Sequence, residues 1–242
     1  MTGIVHLVGA GPGAPDLLTL RAARLLAQAD VVLVDRLVDP DTLLMVGDHA
    51  EIIDVGKPLG ADQETAQDTI IQLMISRARA GSTVVRLKGG DPMVFGRGGE
   101  ELQRLTAAGV EVEVTPGVSS ILAAAASGRF GLTHRGVASA FAVVTGTGIS
   151  GIDWHRYVTV DTLVIVMGVG RRTHIAAELI AAGRNGTQPV AFIESASLPN
   201  ERIIHSTLDQ VAAGQVDATN PAVWVIGDVL DAAAVAALAA TG

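Results

Sequence analysis

Cysteine is missing from this 242-residue chain, and aromatic residues make up only 3% of it. The absence of cysteine excludes disulfides, thiolate metal ligands and cysteine nucleophiles. Few aromatic rings and a net charge of −8 argue against a nucleic-acid partner. No apolar run approaches the ~20 residues of a membrane helix, and no charged-then-apolar leader opens the sequence. We therefore expect a cytoplasmic protein with no membrane partner.

The residues that are abundant predict an ordered α/β protein. Hydrophobic residues make up 49% of the chain and charged residues 17%, which is typical of a globular protein. In the first half, β-rich runs alternate with helical patterns at 16–28 and 63–80, as expected for a parallel sheet. These runs lie at 4–8, 31–35, 51–55, 83–87 and 110–114.

The second half predicts a mixed sheet. The runs 189–195 and 202–207 follow each other closely enough to form a hairpin, and helices are expected at 171–182 and 232–240. The other strand-like runs are 139–146, 162–168 and 222–227. A Thr-Pro-Gly turn opens the TPGVSS segment at 115–120, so we place an N-terminal α/β domain at 1–114 and a C-terminal one at 118–242.

The first glycine-rich motif, VGAGPGAPDLL at 8–18, follows a strand and opens a helix. Together with Asp35 at the end of the second strand, it suggests a dinucleotide-binding site and a nicotinamide-dependent oxidoreductase. Its glycine spacing is G-x-G-x-G rather than G-x-G-x-x-G, and Pro12 removes a backbone donor. A tight turn without a ligand is the alternative interpretation.

The second glycine-rich motif, VRLKGGDPMVFGRGGEEL at 85–102, follows another strand. Glycines let a backbone approach a ligand closely or adopt a positive φ. Four charged residues, Asp35, Lys57, Lys88 and Asp91, are predicted to lie past strand ends. Because the carboxyl ends of parallel strands share one edge, we expect these side chains to converge at a ligand site.

Seven segments resemble the tetrapyrrole methylases, and within them the uroporphyrinogen-III C-methyltransferases, from Val5 to about Val229. The segments are GAGPG, DRL, VGK, RLKGGDPMVFGRGGEE, TPGVSS, LTHR and VIVMG. The resemblance implies two α/β/α domains flanking an active-site cleft, and S-adenosylmethionine as cofactor. It also suggests a homodimer.

The resemblance implies the cofactor-binding residues by position in these motifs. Glycines 89 and 90 would let backbone groups reach the cofactor's amino-acid end, and the carboxylate at position 91 would bind an ammonium or a ribose hydroxyl. The full set is Pro12, Gly89, Gly90, Asp91, Val94, Ser119, Ser120, Met167, Ala196 and Ala222.

The implied reaction is the transfer of two methyl groups to uroporphyrinogen III, giving precorrin-2, in siroheme or cobalamin synthesis. In this comparison Asp35 is the proton acceptor and Lys57 the proton donor. The histidines lack a two-ligand helix spacing, so we expect no metal. The substrate carries eight carboxylates, which cationic side chains must bind. Candidates in or beside the motifs are Arg36, Arg97, Arg129, His134 and Arg135, with Arg171 and Arg172 less favoured.

Three departures from the family pattern leave alternatives open. Ala14 stands where aspartate is usual, Pro58-Leu59 follows VGK where the family has Arg and His, and Ala196 replaces a glycine. They weaken the substrate-side assignment more than the cofactor-side one. A methylase acting on a later precorrin and a catalytically idle cofactor-binding protein therefore remain alternatives to the leading hypothesis.

Overall fold

A computed structural model describes residues 3–56, 63–147 and 152–231. The chain divides into two compact units, Met1–Ser120 and Ile121–Gly242, and each contains a five-stranded sheet. The predicted helix at 232–240 lies outside the described residues. Within the described ranges, no helix has both the length and the apolar character needed to cross a bilayer.

The sheet of the first unit is parallel throughout, as the sequence predicts, with the strand order β3-β2-β4-β1-β5. Its strands are β1 (Ile4–Gly9), β2 (Val31–Val34), β3 (Glu51–Asp54), β4 (Thr83–Lys88) and β5 (Glu111–Thr115). Helices α2 (Gln63–Arg79) and α3 (Gly98–Ala107) cover one face, and α1 (Leu20–Gln28) covers the other. The central strands are apolar because both faces are buried.

The first helix begins four residues later than predicted. Pro15–Leu17 forms a short 3-10 turn, and α1 begins only at Leu20. Thr19 is the N-cap, and its hydroxyl accepts a hydrogen bond from Ala22 N at 3.1 Å. Two start signals therefore lie close together in APDLLTLRAA, and the capped one begins the α-helix.

The sheet of the second unit is mixed, also as predicted, with the order β6-β7-β10-β8-β9. Strands β6 and β7 are parallel, and the other pairs are antiparallel. The strands are β6 (Phe141–Thr145), β7 (Thr162–Val166), β8 (Pro189–Glu194), β9 (Arg202–Thr207) and β10 (Ala222–Ile226). The helices are α4 (Ser120–Gly128), α5 (Arg172–Ala181) and α6 (Leu208–Ala212).

Helix α6 was not predicted, although the sequence carries a signal for it. Thr207 and Gln210 form a capping box, in which each side chain bonds the other residue's backbone N–H. The spacing T-x-x-Q marks such a helix start. The five-residue length of the helix hides it from a search for helical periodicity.

Candidate functional site

The two glycine-rich loops predicted to bind a ligand are hydrogen-bonded to each other. Gly11 N donates to Gly90 O at 3.2 Å, and Gly90 N donates to Gly11 O at 2.6 Å. Ala10 N also donates to Lys88 O at 2.7 Å. The two loops therefore meet in an antiparallel bridge just beyond the carboxyl edge of the β1–β4 pair, where α/β proteins bind their ligands.

The segment after β5 joins the same junction through Asp91. Gly117 N donates to Asp91 Oδ2 at 3.0 Å, and Met93 N donates to Asp91 Oδ1 at 2.8 Å. A Cβ at Gly117 would overlap Gly90 O, so the backbones meet too closely for any side chain. Asp91 was predicted to contact a cofactor, and the structure shows that it accepts two backbone hydrogen bonds that hold the loops together. A carboxylate oxygen has two lone pairs, so each can accept one bond more.

Gly90 leaves space on the open side of this junction. Its φ is +67°, and a Cβ there would come no closer than 3.8 Å to Ser120 N and 3.9 Å to Ser119 Cα. Glycine adopts this left-handed conformation without steric cost, and the space beside it remains free. The structure thus brings together most of the predicted cofactor residues of the first unit: Pro12, Gly89, Gly90, Asp91, Ser119 and Ser120. Val94 follows in the same turn, where its N–H donates to Asp91 O at 3.3 Å.

Asp35 lies at the same edge of the sheet. Its N–H donates to Leu87 O at 3.2 Å, which fixes it beside the end of β4. Its Oδ1 accepts a bond from Arg36 N at 2.8 Å, and its Oδ2 lies 3.2 Å from Arg86 Nη2. The Asp35 side chain is 38% exposed, whereas that of Arg86 is 2% exposed. A reachable carboxylate is therefore held against a buried cation.

The two lysines differ in what the structure shows. Lys57 lies outside the described residues. Lys88 was predicted to lie past the strand, but it is the last residue of β4, is 3% exposed and forms an ion pair with Glu101. Burial lowers the pKa of Lys88, with a further contribution from the charge of Arg86, while Glu101 opposes the shift. Lys88 is therefore a buried cation rather than a ligand-facing one.

Arg86 and Glu101 were not predicted as functional residues. Arg86 sits in β4, the middle strand of the first sheet, and Glu101 lies on α3 with no exposed side-chain surface. The sequence does contain a signal for Arg86, because charged residues are rare in a strand buried on both faces. The signal for Glu101 is weak, since acidic residues are common in the first turn of a helix.

The predicted cofactor residues of the second unit lie at one edge of its sheet. Met167 follows β7, Ala196 follows β8, and Ala222 begins β10, the strand that pairs with both. Ser195 N donates to Pro221 O at 2.9 Å. Met167 is 47% exposed and has a φ of +55°. Non-glycine residues with positive φ cluster at functional sites, which favours a binding role over core packing.

The predicted substrate-binding residues are spread over both units. In the first unit, Arg36 is exposed beside Asp35. Arg97 is the N-cap residue of α3, and its Nη2 lies 2.6 Å from Glu100 Oε2. In the second unit, Arg129 is exposed with a φ of +57°. His134 and Arg135 lie in one turn, and His134 Nδ1 is 2.9 Å from Arg135 O. Within the first unit, the structure places Arg36 directly beside Asp35, whereas Arg97 lies at the start of α3.

The chain belongs to the tetrapyrrole methylases. The sequence profile of the family Tetrapyrrole (Corrin/Porphyrin) Methylases matches residues 5–212. This range includes β1 from Val5 onward, both glycine-rich loops and every predicted site residue except Ala222.

Individual relatives within this family are more specific about activity. The chain is 43% identical over 234 residues to the uroporphyrinogen-III C-methyltransferase of Paracoccus denitrificans, covering 94% of this chain and 81% of that one. It is 44% identical to the siroheme synthase of Pseudomonas putida, covering 94% of this chain but only 50% of that protein. The chain thus spans about half the length of the siroheme synthase.

Solved structures agree in fold. A uroporphyrin-III C-methyltransferase from Thermus thermophilus, crystallised in complex with S-adenyl homocysteine, is 48% identical with a TM-score of 0.84. The match covers 94% of this chain and 93% of that one. A cobalt precorrin-4 methyltransferase is 29% identical, with a TM-score of 0.80 over 94% of this chain and 95% of its own length.

Proposed function

We propose that the chain is an S-adenosylmethionine-dependent C-methyltransferase that converts uroporphyrinogen III to precorrin-2 by two successive methylations. The observation that carries this proposal is the junction of the GAGPG and KGGDP loops through Gly11 and Gly90, with Asp35 beside it. The likeness to the two C-methyltransferases supports the same substrate. The likeness to the precorrin-4 enzyme is more distant, so a later precorrin is the second candidate.

The residues at the junction fit S-adenosylmethionine, which supplies an activated methyl group when it is bound. The open side of Gly90 admits a ligand that any larger residue would exclude, and the free lone pairs of Asp91 can accept bonds from an ammonium or hydroxyl group. Exposed apolar side chains beside it at Met93 and Val94 suit an apolar ligand surface. We propose as cofactor-binding residues Pro12, Gly89, Gly90, Asp91, Val94, Ser119, Ser120, Met167, Ala196 and Ala222.

Asp35 is proposed as the proton acceptor. Each methylation of a ring carbon must be followed by loss of a proton from the macrocycle, and a positioned carboxylate can take it. Asp35 meets the structural requirements because its side chain is 38% exposed and its two oxygens are oriented by Arg36 N and Arg86 Nη2. Lys57, in the VGK motif after β3, is proposed as the proton donor.

Binding the substrate needs local cations, because eight carboxylates approach a chain with a net charge of −8. Arginine can bind a carboxylate through two parallel hydrogen bonds. Arg36 is the first candidate because it is exposed next to the proposed acceptor. Arg97 is already paired with Glu100, whose hydrogen bond raises the pKa of Arg97, so a substrate carboxylate must share it. The remaining proposed substrate-binding residues are Arg129, His134 and Arg135.

Calorimetry tests the proposed cofactor. S-adenosylhomocysteine, NAD and NADP are titrated separately into the purified protein. We expect S-adenosylhomocysteine to bind and both nicotinamide cofactors to give no heat. Binding of NAD alone would contradict the proposal and would favour the oxidoreductase that the GAGPG motif and Asp35 first suggested. Binding of S-adenosylhomocysteine without methylation of uroporphyrinogen III, but with methylation of a later precorrin, would favour the second candidate.

We also propose that the protein is a cytoplasmic homodimer. Leu20 on α1 and Leu44 on the 3-10 helix Pro40–Met45 are 84% and 83% exposed. These two segments pack against each other, and exposed apolar surface of this kind suits an interface. Light scattering coupled to size exclusion tests the dimer, and a monomeric mass would contradict it. The lack of cysteine is consistent with the cytoplasm, and cell fractionation tests that location.

A further inference from the structure

A buried group of charged side chains lies directly behind Asp35. Arg86 and Lys88 are two residues apart in β4 and therefore point to the same face of the sheet. Glu101 on α3 covers that face. The side chains of Arg86, Lys88 and Glu101 are 2%, 4% and 0% exposed. None of them can reach a ligand in solvent, and the proposed roles of the neighbouring residues do not account for them.

One oxygen atom holds this group together. Glu101 Oε1 accepts from Gln67 Nε2 at 2.8 Å, from Lys88 Nζ at 3.0 Å and from Arg86 Nε at 3.3 Å. Glu101 Oε2 is buried and has no hydrogen-bond partner among the described residues. A buried carboxylate is costly unless it is well paired. Its three hydrogen bonds are nevertheless all accepted by Oε1, which Gln67 of α2 shares with Arg86 and Lys88 of β4.

Arg86 links this carboxylate to the proposed acceptor. Its Nε faces Glu101, and its Nη2 lies 3.2 Å from Asp35 Oδ2. Because the guanidinium is planar and its donors are fixed in direction, the position of Nε sets the direction of Nη2. Arg86 Nη1 also donates to Leu33 O at 3.4 Å and to Leu87 O at 3.3 Å. Glu101 is therefore the side chain that, together with these two carbonyls, fixes the guanidinium that orients Asp35.

We propose that Glu101 is a positioning residue for methyl transfer, which acts through Arg86 to hold the Asp35 carboxylate in its reactive orientation. This inference rests on the proposed role of Asp35 as proton acceptor.

The charge balance of the group makes a conservative test possible. Arg86 keeps its charge under all ordinary conditions, whereas burial already lowers the pKa of Lys88 and Glu101 opposes that shift. In Glu101→Gln, Lys88 can release its proton, so the variant need not contain two uncompensated buried cations. The glutamine oxygen can still accept a hydrogen bond, which preserves the shape of the site.

The test is a double-mutant cycle on kcat with Glu101→Gln, Asp35→Asn and the double variant. We expect Glu101→Gln to lower kcat about 10-fold, because small misplacements of a reacting group cost this much or more. Its affinity for S-adenosylhomocysteine should stay close to the parent value, whereas its Tm should fall, because removing one partner of a buried ion pair is destabilising. In the Asp35→Asn background, adding Glu101→Gln should cause no further loss, because the two residues act in series.

The matched control is Asp68→Asn. The Asp68–Arg104 ion pair connects the same two helices as Gln67–Glu101, but on the exposed surface, and its loss should leave kcat unchanged. A parent-like kcat for Glu101→Gln would overturn the inference, and so would an equal 10-fold loss in both backgrounds. If Asp35→Asn is itself as fast as the parent, the proposed acceptor is wrong. If Asp35→Asn is slow while Glu101→Gln is normal, only the present inference fails.

A second variant serves if Glu101→Gln does not fold. Gln67→Met removes one donor to Glu101 Oε1 and leaves every charge in place. We expect kcat to fall roughly 2–5-fold, with unchanged S-adenosylhomocysteine affinity, and the loss to vanish in the Asp35→Asn background. An unchanged kcat, or a loss that persists in that background, would overturn the inference.

Discussion

Two buried glutamates, one in each unit, are paired with arginine in opposite ways. In the second unit, Glu194 receives both donors of a fork from Arg202, at 2.7 and 2.9 Å, and Thr219 N adds a third bond at 2.6 Å. In the first unit, Glu101 uses one oxygen for three donors, and Arg86 reaches past it to Asp35. The first arrangement is self-contained, whereas the second extends to a reachable carboxylate.

The two glutamates stabilise different parts of the protein. Glu194 joins the end of β8 to the segment before β10, which shapes the sheet edge that carries Ala196 and Ala222. Its partners are all structural. Glu101 pairs with Arg86 and Lys88, and Arg86 in turn contacts Asp35 at the sheet edge that carries the glycine-rich loops. Under the proposed roles, the first unit supplies the reacting carboxylate through Asp35, whereas Glu194 stabilises a sheet edge of the second unit.

Of the variants that test this difference between the units, Asp35→Asn should have the largest effect, and it should act on the rate of methyl transfer. The amide keeps the shape of the side chain but removes the proton acceptor, so methyl transfer should slow by about 10²–10⁴-fold. Affinity for S-adenosylhomocysteine should not change, because the Asp35 side chain bonds to Arg86 and to Arg36 N rather than to Gly90 or Asp91. Single-turnover kinetics with uroporphyrinogen III measure the rate. A parent-like rate would make Asp35 a turn residue only.

Gly90→Val should come next, lowering S-adenosylhomocysteine affinity roughly 100-fold, since overpacking a filled site costs up to about 3 kcal/mol. The control is Gly109→Val. Gly109 has a similar positive φ of +73° and open space around it, so it carries the same backbone strain at a distance from the loops. Equal affinities for the two variants in calorimetry would mean that the space beside Gly90 holds no ligand.

Asp91→Ala should weaken cofactor binding by about 1.5–3 kcal/mol, the range for hydrogen bonds to a charged group. The loss has two sources, because Asp91 also ties Met93 N and Gly117 N together. Asp39→Ala is the control, since Asp39 also caps a turn, accepting from Asp41 N at 2.9 Å. If the calorimetric affinity of Asp91→Ala matches the parent, the KGGDP loop is only a turn.

Glu194→Gln should have the smallest effect, a loss of about 1–2 kcal/mol in the free energy of unfolding, because Arg202 is half exposed. The hydrogen bond from Arg202 lowers the pKa of Glu194. This stability is therefore present above the ordinary glutamate pKa of about 4.3, and it is lost as the pH falls through the lowered folded-state value.

Denaturant unfolding at several pH values checks this prediction. The gap between parent and Glu194→Gln should be widest at neutral pH and should close below about pH 4. Glu178→Gln, an exposed change on α5, should stay within about 0.5 kcal/mol of the parent. A gap that does not vary with pH would show that the charge of Glu194 is not its source.

The sequence predicts the two sheets because their strands carry strong patterns. The parallel direction of the first sheet's strands follows from apolar runs separated by helices. The hairpin of β8 and β9 follows from their close spacing in the sequence. Helix starts are harder to predict, because APDLLTLRAA contains two competing signals, and the α-helix begins at the one that has a side-chain cap. For this reason α1 begins at Thr19's cap rather than at Asp16.

The site is only partly predictable for a physical reason. Motif spacing brings Gly90, Asp91 and Asp35 to one sheet edge, because parallel strands share their carboxyl ends. The Arg86–Glu101 pair depends instead on which residue of α3 meets which residue of β4, and helix packing sets that register rather than any local pattern. Asp91 accepts one hydrogen bond from its own loop and one from Gly117 N. The second likewise depends on how the segment after β5 folds back.

Methyl transfer to uroporphyrinogen III is the most direct measurement. The parent protein is incubated without oxygen with S-adenosylmethionine and uroporphyrinogen III, and the tetrapyrrole is analysed by mass spectrometry. We expect the final product to carry two added methyl groups and to form through a singly methylated intermediate. A substrate that remains unmethylated, while S-adenosylhomocysteine binds normally to the same preparation, would contradict it.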